Sequence, residues 1–110
     1  MSDNLTWLTF IETPLFTRIV HDYLSDEEYA ELQGFLAAHP EAGDIVPGSG
    51  GVRKLRWKTK SKGKRGGLRI IYYLRMQAEE IWLLTLYSKT RQINIPAHIL
   101  KAIKEEIDHD

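Results

Sequence analysis

The chain has 110 residues, 43% of them hydrophobic and 10% aromatic, no cysteine, and fifteen cations balanced by fifteen acids. That length suits one domain spanning residues 1–110, with a single core on one sheet. Without cysteine there is no disulfide framework, thiolate nucleophile or cysteine-ligated zinc; no apolar run approaches the roughly 20 residues of a membrane span, and the start MSDNLTW carries acid where a signal peptide carries base, so a cytoplasmic location is expected.

Residues 5 to 11, LTWLTFI, have the β-branched and aromatic content of a short strand. Thr13 is placed to cap a helix and Pro14 suits its first position, so residues 15 to 24 are expected to be helical with Phe16, Ile19, Val20 and Tyr23 on one face. Ser25 and Glu28 form the capping box of a second helix, and Asp26, Glu27 and Glu28 favour the positive end of its dipole. Tyr29, Leu32, Phe35 and Leu36 make its buried stripe, and His39-Pro40 ends it. So short a joint predicts an antiparallel helical hairpin.

Residues 40 to 51, PEAGDIVPGSGG, read as turns. A three-stranded meander follows over 52 to 58, 68 to 75 and 81 to 87, because such short connections require neighbouring antiparallel strands. Asn94 and Pro96 open a last helix with Ile99, Leu100, Ile103 and Ile107 on its apolar face, and the acidic tail EEIDHD is expected to fray.

Zero net charge conceals a strong asymmetry. Nine acids stand against Arg18 alone up to residue 44, and four bases against six acids from residue 79 onward. Between them, residues 52 to 75 hold ten bases and no acid: Arg53, Lys54, Arg56, Lys58, Lys60, Lys62, Lys64, Arg65, Arg69 and Arg75. Strand arginines and loop lysines often only keep an edge soluble. Ten cations without an acid go beyond that, since evenly solvated surfaces mix signs, and they point to a polyanion, phosphate above all.

Strand alternation sorts these cations. Leu55 and Trp57 face the helices, which sends Lys54, Arg56 and Lys58 the other way. Ile70, Tyr72 and Leu74 fit the core, leaving Arg69, Ile71, Tyr73 and Arg75 opposite. The outer face therefore gathers Lys54, Arg56, Lys58, Arg69 and Tyr73, and the loop residues Lys60, Lys62, Lys64 and Arg65 close over one end. Arginine forks hold phosphate oxygens bidentately, and lysine acts as a mobile point charge.

Other features weigh less. His21, His39, His98 and His109 have no metal-like spacing, so no metal or other cofactor is expected. Trp7, Trp57 and Trp82 can stack bases, but their places on strands favour core packing. Gly66-Gly67 suits an anion-binding nest or a plain hairpin turn equally. The apolar strip of the last helix fits core or partner contact, because bases do not dominate its polar face.

The elements GGxRKxR, KGKRGGxRxIYY and LLTxYxK occur in order from residue 50 to 89, after YLSDEEYAELQGFLAAHPEAGD. Together they resemble the RelE/HigB-type toxins of bacterial toxin–antitoxin pairs, nearer the HigB branch, over roughly residues 15 to 90. The resemblance implies an α+β, RelE-like microbial RNase fold: a four-stranded, mainly antiparallel sheet with an N-terminal helical hairpin on one face, here followed by a C-terminal helix.

It further implies a metal-independent endoribonuclease that cleaves messenger RNA on the ribosome and so blocks translation. The ribose 2′-hydroxyl attacks the adjacent phosphate, which needs a base, cations for the phosphorane charge and a proton donor for the leaving oxygen. Carried over by motif, the family's basic pair matches Lys54 and Arg56, its second-strand arginine matches Arg69, and the basic residue after the last strand matches Lys89, with Arg91 a small register shift away. A C-terminal tyrosine used by some relatives has no match: Tyr87 substitutes for it, or Tyr73, or no residue does. Like-charge repulsion lowers the proton affinity of a lysine among cations, so Lys54, Lys58 or Lys64 is a candidate base, with tyrosine its rival.

The implied partners are messenger RNA, the ribosome and a cognate antitoxin, a helix-turn-helix protein of HigA type through which alone operator DNA would be contacted. Two other readings remain open: a non-catalytic RNA- or ribosome-binding module, and an interaction protein assembled through its bipolar charge.

Overall fold

Local chemistry starts both N-terminal helices. Thr13 Oγ1 accepts the Phe16 amide at 3.1 Å and Pro14 takes the first helical position, so α1 covers Pro14–Tyr23. The Glu28 amide donates to Ser25 Oγ at 3.1 Å and the Ser25 amide to Glu28 Oε1 at 2.9 Å; α2 covers Asp26–Ala38. These elements belong to a computed structural model of the chain in which residues 8–59, 67–91 and 94–109 are described.

One sheet carries the rest. Its strands are β1 (Thr9–Glu12), β2 (Asp44–Ile45), β3 (Val52–Trp57), β4 (Leu68–Arg75) and β5 (Glu80–Ser88), in the spatial order β1-β5-β4-β3-β2. β1 is parallel to β5, and every other pair is antiparallel. The sheet has five strands where four were expected. The addition is β2, two residues inside the turn-rich stretch and too short to show any periodicity. The expected first strand is shorter, starting at Thr9; residues 1–7 lie outside the described part.

Both faces of the sheet are apolar, which alternation alone did not show. On one, α1 and α2 bury Phe16, Val20, Leu32 and Leu36 against Leu55, Leu68, Ile70, Tyr72, Ile81, Leu83 and Leu86. The two helices meet at Tyr29, whose ring centroid lies 5.9 Å from Phe16 and 6.4 Å from His21, while α1 lies against β5. Their shared face is thus as expected, but α1 packs along the sheet more than along α2.

The other face holds Val52, Ile71, Tyr73, Leu84 and Tyr87, partly covered by Leu100, Ile103 and Ile107 of α3 (Ala97–Asp108). Ile99, expected on the apolar side, is 43% exposed. The expected fraying of the tail fails through Asp108, which is tied down: its carboxylate lies 3.1 Å from Lys104 Nζ and 3.4 Å from Arg75 Nε, and accepts the Tyr73 hydroxyl at 2.7 Å.

The ladder between β4 and β5 is broken between Ile71 and Tyr72. Tyr72 pairs with Leu83 and Ile71 with Thr85, so Leu84 is an extra residue in β5. Because side chains alternate, this one-residue shift decides which face Tyr87 joins.

Candidate functional site

Three strands deliver their side chains to one place. Arg56 of β3 is the cross-strand partner of Arg69 of β4, and Arg69 is the partner of Tyr87 of β5. The bulge is what sets Tyr87, instead of Leu86, beside Arg69. Lys54 stands two residues along β3 from Arg56, so it projects from the same face. Lys54 and Arg56 are exposed, Arg69 is half-buried and Tyr87 is 6% exposed. Among the described residues, no carboxylate pairs with Lys54 or Arg56.

Gly67 shapes the end of this row. Its φ of +78° is one that side-chain-bearing residues seldom adopt, and a Cβ there would lie 2.6 Å from the Trp57 carbonyl oxygen. Its own carbonyl accepts the Lys89 amide at 3.1 Å. Lys58, Gly67 and Lys89 therefore meet at the ends of β3, β4 and β5, beside the Arg56–Arg69–Tyr87 row. Two guanidinium forks, flanked by lysines, can together hold the non-bridging oxygens of a phosphodiester.

Other sequence candidates lie elsewhere. Tyr73 is four residues along β4 from Arg69, about 13 Å at the usual strand rise. It is 9% exposed beneath α3, and burial first, then its bond to Asp108, pushes its hydroxyl up to about 12. Burial also raises Asp108, but hydrogen bonds from Tyr73 and Lys104 and the charges of Lys104 and Arg75 outweigh it and hold the carboxyl below its ordinary value. Arg91 stands by α1, its Nη1 3.4 Å from the Tyr23 hydroxyl. Lys60, Lys62, Lys64, Arg65 and Gly66 lie outside the described residues.

Among the described cations of the cluster, Arg53 and Arg75 serve the scaffold. Arg53 is on the helical face and donates to the carbonyls of Glu41 at 3.1 Å and Gly43 at 2.8 Å. Arg75 pairs with Glu80 at 3.3 Å and with Asp108. Of the tryptophans, Trp57 packs against Phe35 with ring centroids 5.2 Å apart, and Trp82 donates to Glu80 at 2.9 Å. Among the described residues, no three histidine or acidic side chains gather as a metal would require, and no helix is long and apolar enough to cross a membrane.

Sequence reasoning missed one neighbour of the row. Asp44, Ile45, Val46 and Pro47 join Lys54 and Arg56 around a groove of about 220 Å³. The signal was Asp44 itself, the last acid before the cationic run, but its partner strand could not be read locally.

No family model matches the sequence. Among solved structures, the chain is similar to the free state of a mutant RelE toxin of E. coli carrying two arginine-to-alanine changes. The match has a TM-score of 0.58 and 11% identity, covering 88% of this chain and 96% of that one. At that identity the likeness concerns the fold, which is RelE-type.

Proposed function

We propose that this protein is the toxin of a toxin–antitoxin pair: a metal-independent endoribonuclease that cuts messenger RNA on the ribosome. The observation that carries the reading is the row Arg56–Arg69–Tyr87 with Lys54 alongside, set on a RelE-type sheet. In the proposed reaction the 2′-oxygen forms a bond to phosphorus as its proton passes to a base, Lys54, Lys58 or Lys64, with tyrosine the competing choice. The bond from phosphorus to the 5′-oxygen breaks, leaving a cyclic phosphate, and a proton donor, assigned to Tyr87, completes the 5′-hydroxyl. Arg56, Arg69 and Lys89 balance the added phosphorane charge. Lys58, Lys60, Lys62, Lys64 and Arg65 draw the strand in. The less central places of Tyr73 and Arg91 give them at most an outlying share of RNA contact.

Sequence motifs favour the HigB branch and a helix-turn-helix antitoxin of HigA type, and the lack of cysteine fits a cytoplasmic site of action. Induced expression without an antitoxin should arrest growth and create new transcript 5′ ends, and Arg69→Ala should abolish both. Intact transcripts in cells rich in folded protein would refute the enzyme. Salt-sensitive RNA binding without cleavage would then favour the non-catalytic module, each lost phosphate contact lowering the slope of log affinity against log salt by about one.

A further inference from the structure

The groove beside Lys54 and Arg56 has the makings of a base-recognition site. On β2, Asp44 is paired with Lys54, and paired residues project from the same face, so its carboxylate shares the side that bears Arg56. Val46, whose amide donates to the Val52 carbonyl at 2.8 Å, belongs to that face too and gives the groove an apolar wall with Pro47. Its volume of about 220 Å³ is below that of pockets for drug-sized ligands and fits one ring system.

Asp44 lies directly opposite a lysine, yet no ion pair joins them among the described residues. The carboxylate therefore keeps its lone pairs for another donor. Its position is set from behind: the Gly43 amide donates to the Tyr72 hydroxyl at 2.9 Å, and that hydroxyl donates to the Pro40 carbonyl at 2.8 Å. The turn entering β2 is thereby pinned to a fully buried tyrosine in the sheet.

We infer that Asp44 is a specificity-determining residue that reads a guanine next to the phosphate held by Lys54, Arg56 and Arg69. This rests on the proposed function. An ionised carboxylate only accepts hydrogen bonds. Guanine alone among the four RNA bases offers it two adjacent donors on the Watson–Crick edge, the ring N1–H and the exocyclic amine. Adenine and cytosine present one amine, and uracil one ring N–H. Unstacked bases in single-stranded RNA are read on that edge. The cations carry the phosphate, the apolar wall covers the flat of the ring, and Asp44 decides which ring is kept.

The test uses the full-length chain and the four nucleoside 3′-monophosphates, with inorganic phosphate as a base-free probe, monitored by amide chemical shifts. The 3′-guanylate should bind about tenfold more tightly than the other three, toward the low end for a bidentate contact because the groove is open to water. In Asp44→Asn and Asp44→Ala that preference should fall to within about twofold, while inorganic phosphate binds at least as tightly as before because an anion has gone from its neighbourhood. Equal binding of all four by the unsubstituted protein, or a guanine preference that survives both substitutions, overturns the inference. So does an absence of nucleotide binding. Transcript cleavage is scored separately: if RNA is cut without base discrimination, only this inference falls, and if nothing is cut, the proposed enzyme falls.

Discussion

Arg56 and Arg69 stand directly opposite each other on β3 and β4, and both side chains leave the sheet on the side away from α1 and α2. Opposed like charges are destabilising on adjoining strands, where such pairs count for about 0.2–1 kcal/mol. A phosphate between them converts the repulsion into attraction. Arg56→Gln should therefore raise the stability of the free protein by a few tenths of a kcal/mol to about 1 kcal/mol, and lower RNA cleavage. Urea midpoints at low ionic strength, paired with a cleavage assay, measure the two opposite effects.

Arg69 sits between Arg56 and Tyr87, so it is the one residue of the row with a functional candidate on both sides. Loss of a donor aimed at transition-state charge costs about 10²–10³ in rate. Arg69→Ala should show a loss of that order, and Arg69→Lys should recover only part of it, because an ammonium cannot make the paired contacts of a guanidinium. Single-turnover cleavage rates on programmed ribosomes are the measurement, and full activity in the lysine variant would remove the need for a fork.

Inorganic phosphate offers a test that needs no RNA. A ligand bound only by the folded state stabilises it by about 2.7 kcal/mol when present at a hundred times its dissociation constant. The melting temperature should rise with phosphate concentration, more than with chloride at equal ionic strength. Combining Arg56→Gln with Arg69→Ala should flatten that dependence.

Asp108 ties α3 to the sheet through Tyr73, Arg75 and Lys104. Its carboxyl is held below the ordinary value, so the stability it confers is complete above the unfolded value of about 3.9 and is lost as pH falls through the lower folded value. Tyr73 acts in the opposite direction: its neutral form is favoured, and that stability declines as pH rises from the ordinary tyrosine value through about 12. Asp108→Asn should cost roughly 0.5–1 kcal/mol at neutral pH and weaken the acid limb of the stability profile. Denaturant melts between pH 2 and 7, read as α3 protection in hydrogen exchange, check it.

Tyr72 is fully buried, and its hydroxyl serves both Gly43 and Pro40. Tyr72→Phe keeps the ring but leaves an amide and a carbonyl without that partner, at a cost of about 1–3 kcal/mol. The same change should increase hydrogen exchange at Gly43 and along β2. Exchange unchanged there would mean that the turn is held by something else, with Arg53 on the Gly43 carbonyl the first suspect.

The helix starts were legible because a capping box and a threonine–proline pair act within four residues of themselves. So was the sorting of Lys54, Arg56 and Arg69 away from Leu55, Trp57, Ile70 and Tyr72, since a period of two is a property of each strand alone. Pairing is different. That β1 lies parallel beside β5, that β2 exists, and that an extra residue at Leu84 brings Tyr87 to Arg69 all depend on contacts between distant segments, for which no local pattern stands. Composition and alternation by themselves determined which residues would form a cationic face. Only the tertiary structure decided how much of that face stays open, because α3 takes Ile71 and Tyr73 for a second core and leaves Lys54 and Arg56 exposed beside the Asp44 groove.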